Sequence, residues 1–262
     1  MSRSDVENVL GYLVTTCTLD ECVESILASM TISASPSWLA CLNANSYVVS
    51  RDDVAFAHAL RCASWLVPDG VGIVLASRLL GARIRRRITG GDLFYRLNAR
   101  MNEVGGFSVF FLGSTPQNLA AIETRMRRDY PNLRVVGTYS PPYKSVYSQS
   151  ELEAMTQAIN EARPDVLWVG MTSPKQDLWI HANRDHLNAK FAAGIGAVFD
   201  FYTGNLKRAP RLMQSLGLEW LYRSVAEPTR LGSRNLKSNP VFLFLLAAAF
   251  AKKVLSRLRD TK

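Results

Sequence analysis

Histidine and cysteine are scarce in this chain of 262 residues, with three and four copies. Cys17, Cys22, Cys41 and Cys62 form no Cys-x-x-Cys pair and are read as having no histidine nearby, so free or buried thiols are expected, with neither disulfides nor zinc. His58, His181 and His186 fall on helix-like segments and read as structural. The chain has no GxSxG, no P-loop and no HExxH. The run from Gly194 to Phe199 fails GxGxxG at its last position, and no acid follows about 20 residues on, which disfavours a nicotinamide cofactor. No Asp-x-Asp triplet signals a metal-clamped nucleotide sugar, so neither a metal nor a cofactor is expected. A signal peptide is not evident either, and a cytoplasmic chain is expected. The longest uncharged apolar run, VFLFLLAAAFA at 241–251, covers about 16 Å as a helix, half of a ~30 Å hydrocarbon core, and is expected not to span a membrane.

Charge is present, but in one place. Residues 207–262 carry twelve Lys and Arg against three acids, which is the whole formal net charge of +9. Residues 1–206 balance at 19 of each sign. A basic tail seeks phosphate, from nucleic acid, an anionic membrane or a diphosphate substrate. Nucleic-acid binding would interleave aromatics with the cations. Here Phe242, Phe244 and Phe250 sit inside the uncharged run, followed by Lys252, Lys253, Arg257 and Arg259. That order favours shallow insertion into lipid, with a core helix or an oligomer interface as the alternative.

Through the rest of the chain, strand-like and helix-like patterns alternate. Strands are expected at 10–16, 38–42, 65–67, 107–112, 133–137, 165–170 and 189–193. Helices are expected at 20–32 with Asp20 as cap, 52–62, from after Gly72 to 80, from after the Thr89–Asp92 loop to 104, and at 116–130, 149–162 and 174–184. Pro210 is expected to open another, with short helices at 216–226 and 229–236 and a last one opened by Pro240. The prediction is an α/β fold: a Rossmann-like, mostly parallel sheet with helices on both faces, and a helical appendage after residue 210. In such sheets ligands sit beyond the carboxyl ends of the strands, where the polar punctuation of this chain falls.

The stretch at 194–210, GIGAVFDFYTGNLKRAP, organises that punctuation. Gly194 and Gly196 let backbone amides approach a ligand, and Asp200, Lys207 and Arg208 follow; a strand, turn and capped helix would read the same. Asp69, between a strand end and Gly70, can take a proton from a hydroxyl as a general base or simply cap a helix. Asn43 and Asn45 can bond sugar hydroxyls or form a turn. Arg87 ahead of Thr89-Gly90-Gly91-Asp92 offers a phosphate cradle or a solvated basic loop. Gly113-Ser114 is a weak nucleotide-loop signal, and Gln176 reads either a base or sugar edge or an exposed first turn.

These segments together, PDGVG at 68–72, RITGGDL at 87–93, FLGS at 111–114, VGMTSPKQD at 169–177, the 194–210 stretch and GLEWLYRSVAEPTR at 217–230, resemble the WecG/TagA/CpsF family of bacterial glycosyltransferases over about residues 15–234. The resemblance implies a metal-independent, inverting transfer of a sugar from a UDP donor to a polyprenyl-diphosphate-linked sugar at the cytoplasmic face of the inner membrane. It implies a core over 1–210 and a basic membrane-docking appendage over 211–262 that helps complete the active site. Asp69 matches the base. Asn43 and Asn45 match the sugar segment, and Arg87, Gln176 and Asp200 match donor or phosphate positions. Gly90, Gly113, Gly194 and Gly196 would line the donor site, and Arg208, Arg211, Arg223 and Arg230 would meet the diphosphate. Relatives use different donors; Asn43 and Asp177 depart from the family pattern, and the general look leans to the exopolysaccharide glucosyltransferases, hence UDP-glucose, with UDP-N-acetylmannosamine or its uronic acid as the alternative. The expected partners are donor, lipid-linked acceptor and anionic membrane, without nucleic acid; a homo-oligomer is left open.

Overall fold

The computed structural model describes residues 6–32, 36–210, 212–213, 218–227 and 232–260. Among them a hairpin, β1 (Val6–Val9) and β2 (Tyr12–Thr15), precedes α1 (Leu19–Ile32) and β3 (Ser37–Leu42). Then come α2 (Ala44–Asp52), α3 (Val54–Cys62), β4 (Trp65–Pro68), α4 (Val71–Leu79), α5 (Gly90–Val104) and β5 (Ser108–Gly113). They are followed by α6 (Pro116–Asp129), β6 (Arg134–Tyr139), α7 (Gln149–Ala162), β7 (Val166–Gly170), α8 (Lys175–Asn183), β8 (Phe191–Gly194) and α9 (Val198–Thr203). The tail adds α10 (Glu219–Ala226) and α11 (Ser233–Asp260).

Six strands form one sheet in the order β4-β3-β8-β7-β5-β6, every pair parallel. The expected α/β fold is present. Strands β4, β5 and β8 are buried along their whole length, as strands covered by helices on both faces must be. One apolar layer includes Trp38, Leu66, Phe110 and Trp179, and the other Leu39, Val67, Phe111 and Trp168. Within the second layer Phe94 meets Trp168 and Tyr202, each at 5.1 Å between ring centres, and Phe111 meets Phe199 at 5.5 Å. Such edge-on pairs add roughly 0.5–1.5 kcal/mol each beyond area burial, and they hold α9 firmly against the strand ends.

Several sequence expectations change. Residues 10–16 are not one strand: Leu10 and Gly11, both at positive φ, turn the chain between β1 and β2. Thr18, not Asp20, caps α1, accepting from the Glu21 amide at 3.3 Å while Glu21 Oε2 accepts from the Thr18 amide at 2.8 Å. Asn43-Ala44-Asn45 is not a turn but the start of α2, an additional helix that ends where Asp53 caps α3. Pro240 opens nothing: α11 runs unbroken from Ser233, and the proline sits exposed inside it. The helix expected to begin at Pro210 falls largely outside the described residues.

Because α11 is continuous, its apolar stretch is longer than the uncharged run suggests. Leu236–Ser256 is 21 residues at mean hydropathy 1.4, about 32 Å of helix, so by length and composition it could cross a bilayer, contrary to the sequence expectation. It lies along α2, with Ser238, Phe242 and Leu246 buried and the Phe242 ring edge-on to Tyr47 at 5.7 Å. The other face leaves Leu243, Phe244, Leu255 and Leu258 exposed.

Candidate active site

Asp69 follows β4 directly, and the sheet fixes it from both sides. Its amide donates to the Leu42 carbonyl at 2.8 Å, and the Ile88 amide donates to the Pro68 carbonyl at 2.9 Å, which brings the segment carrying Arg87 alongside. Asn43 serves twice. Its Oδ1 accepts from the Ser46 amide at 2.9 Å and caps α2, while its Nδ2 donates to Asp69 Oδ2 at 3.4 Å. Capping residue and site residue are the same side chain. Asp69 is partly exposed at the cleft floor, yet desolvation pushes its pKa up to about 6 against the lowering effects of Asn43 and Arg87; Glu219 and Asp92 push it the same way as desolvation.

A cleft of about 710 Å³ opens over the carboxyl ends of the strands, the place where ligands bind in open α/β sheets. Asn43, Asp69, Gly90, Gly113, Gln176, Gly194, Gly196 and Asp200 all line it. Gly113 sits at φ +114°, and a Cβ there would lie 2.6 Å from the Gly170 carbonyl oxygen, so the floor requires glycine. Gly196, at φ +60°, turns the chain after β8, and its amide donates to Gln176 Oε1 at 3.0 Å. Gln176 is buried and braces this turn; its carbonyl oxygen is thereby engaged within the protein. Asp200 accepts from Asn118 Nδ2 at 3.0 Å on the cleft wall, and a carboxylate there suits hydroxyls of a sugar or ribose better than phosphate.

Two smaller cavities adjoin. One of about 290 Å³ is lined by Asn45, Asp69, Arg87, Glu219, Trp220, Arg223, Phe242 and Leu243, with α4 and α11 as its apolar walls. Another of about 110 Å³ is lined by Asp69, Gly91, Arg208, Glu219 and Arg223. Asp69 and Arg223 border all three. Glu219 on α10 bridges Arg87 at 3.3 Å and Arg208 at 3.4 Å, and Arg208 also meets Asp92 at 3.5 Å. Arg223 stacks over Phe201 at 5.1 Å, meets Glu227 at 3.7 Å, and keeps a buried Nε without a hydrogen-bond partner. Arg211 and Arg230 lie outside the described residues.

Sequence reasoning missed Glu219, one of three acids among the tail cations, and the loop after β6, where Ser140, Tyr143 and Tyr147 line the cleft. It also missed Lys175, which lies over the Tyr147 ring at 4.7 Å and has its pKa lowered by burial. Cys41 reaches the cleft, but burial pushes its thiol well above the ordinary value, so it is no nucleophile. Beneath the floor, Asp177 is buried and pushed up to about 7 by desolvation, opposed mainly by the Ser173 hydroxyl that donates to it at 2.7 Å.

A family profile described as the WecG/TagA/CpsF glycosyl transferase family matches residues 7–256. The chain belongs to that family. Within this WecG/TagA/CpsF group it is 35% identical over 175 residues to a protein of Bacillus spizizenii named N-acetylglucosaminyldiphosphoundecaprenol N-acetyl-beta-D-mannosaminyltransferase, covering 67% of this chain and 65% of the relative. It is 30% identical over 247 residues to a protein of the same name from Staphylococcus aureus, covering 94% of this chain and 93% of the relative. These names correct one expectation: neither relative is a glucosyltransferase, and the lean to a glucose donor loses its support to the N-acetylmannosamine alternative.

Proposed function

We propose that this WecG/TagA/CpsF glycosyltransferase moves N-acetylmannosamine from UDP onto an N-acetylglucosamine carried by a polyprenyl diphosphate. The observation that carries the reading is Asp69 at the meeting point of a large polar cleft and a smaller, half-apolar cavity. The cleft takes the nucleotide sugar. The cavity between α4 and α11 takes the acceptor, with Arg87 toward its diphosphate and Phe242, Leu243 and Trp220 toward its lipid end.

Transfer is a single displacement. The acceptor hydroxyl gives its proton to the Asp69 carboxylate as its oxygen bonds to the anomeric carbon from the face opposite UDP. The glycosidic C–O bond to UDP breaks, and UDP leaves with the electron pair. A base with a pKa of about 6 is ionised at neutral pH and still close enough to that pH to accept a proton efficiently. Arg223, which borders the cleft and keeps a buried Nε without a hydrogen-bond partner, meets charge growing on the leaving diphosphate; fixed donors act most strongly where water is excluded. Inversion of an α-linked UDP donor gives a β product, the configuration in the relatives' names.

The exposed apolar face of α11, with Lys252 and Arg259 beside it, supports docking on an anionic bilayer surface, and the packing of Phe242 and Leu246 on α2 favours lying on that surface over crossing it. The core over 1–210 then binds the donor and the tail over 211–262 closes the acceptor side. The test is transfer from UDP-N-acetylmannosamine to a short-chain acceptor, with the new linkage read by NMR. An acceptor-dependent β-linked product is expected; an α-linked product would overturn the single displacement.

A further inference from the structure

Away from the cleft, three soft side chains converge where α3 packs on α8. His58 and Cys62 stand four apart on α3, so one helical turn puts them on the same face. Sequence reasoning overlooked this spacing when it gave the cysteines no histidine partner. Cys62 Sγ lies 3.6 Å from His58 Nε2. His181, on α8, presents its ring edge-on to His58 at 5.1 Å between centres. One ligand atom from each of the three falls within 4.8 Å of the others. None of the three lines the cleft or its two neighbours.

The scaffold beneath the cluster is fixed. The Cys62 carbonyl accepts from Trp38 Nε1 at 3.2 Å and from Arg184 at 3.4 Å, tying the end of α3 to β3 and to the turn after α8. His181 Nδ1 is buried without a hydrogen-bond partner, and leaving such a nitrogen unsatisfied costs on the order of 1–3 kcal/mol.

We propose that His58, Cys62 and His181 bind a zinc-type divalent cation. Bonds of about 2.0–2.1 Å to nitrogen and about 2.3 Å to sulfur require the ligand atoms to close by roughly 1 Å, which the exposed His58 and half-buried Cys62 can supply by rotamer change. Two imidazoles and a thiolate select zinc or its soft neighbours, and the absence of oxygen ligands selects against magnesium and calcium. On binding, the Cys62 thiol gives its proton to solvent and its sulfur bonds the cation, leaving a fourth position for water. The cation staples α3 to α8. The first turn of α8 holds Gln176, which braces the Gly196 turn, so the staple secures the cleft floor without entering the transfer chemistry.

The test uses tag-free, chelator-treated full-length protein titrated with Co2+ and then Zn2+. The expected result is one Co2+ per chain with thiolate-to-cobalt charge-transfer absorption, displaced by Zn2+. Cys62→Ser should lose that absorption and weaken Zn2+ binding by at least about tenfold. His58→Asn, at an exposed position, should weaken Zn2+ binding while leaving the apo Tm unchanged. Zn2+ should raise the Tm of the parent protein and not that of Cys62→Ser. Absence of the thiolate band, or equal Zn2+ affinity in parent and Cys62→Ser, would overturn the site.

Discussion

Replacing Asp69 with Asn separates catalysis from structure because the two side chains share a shape. Asn keeps a hydrogen bond with Asn43 within reach and removes only the charge and the basic oxygen. Loss of a positioned general base costs about 10²–10⁴ in rate, or about 3–5 kcal/mol of barrier. Stability should move the other way. Raising a carboxylate from 3.8 to about 6 corresponds to roughly 3 kcal/mol before solvent screening of this partly exposed group, and the variant no longer bears it. The assay is single-turnover transfer at saturating donor, beside UDP affinity by calorimetry and Tm by scanning calorimetry. The parent rate should rise with pH through about 6, as the carboxylate ionises, and then level off. The variant should lose that limb, bind UDP within a few-fold of the parent and melt no lower. Activity within a few-fold of the parent, or joint loss of UDP binding and fold, would refute the assignment.

Three more outcomes follow from the same geometry. Glu219 raises the Asp69 pKa, so Glu219→Gln should move the acid limb of the rate profile to lower pH; an unmoved limb would separate α10 from the base. Asp177 has a folded pKa of about 7 against 3.8, so the stability it confers is intact below 3.8 and is lost as pH rises to about 7. At about 1.36 kcal/mol per unit the loss is about 4 kcal/mol, and Asp177→Asn should flatten the Tm–pH curve there and raise Tm above pH 7, as thermal melts across that range would show. Charging the exposed face of α11 with Leu243→Asp, Phe244→Asp and Leu255→Asp should weaken co-sedimentation with anionic vesicles at least about a hundredfold without unfolding, because Phe242 and Leu246 still pack on α2. Unchanged partitioning would place membrane contact elsewhere.

Much of the core was legible because buried parallel strands are apolar runs closed by glycine, as with Phe107–Leu112 before Gly113. Local signals faltered where one residue does two jobs. Asn43 looks like a turn former because it caps a helix, and the same amide reaches Asp69. Pro240 misled because an exposed proline is tolerated inside a helix that tertiary packing holds together. Glu219 and the loop after β6 enter the site through long-range packing, for which no local pattern codes. Cys62 and His58 were visible at helical spacing, but the third member, His181, is brought in only by α8.

The central claim is the identity of the transferred sugar and its acceptor. Purified protein with a short-chain N-acetylglucosaminyl-diphosphate lipid should release UDP from UDP-N-acetylmannosamine, and only when that acceptor is present. UDP release from UDP-glucose alone, or none from any donor that binds, would contradict the account.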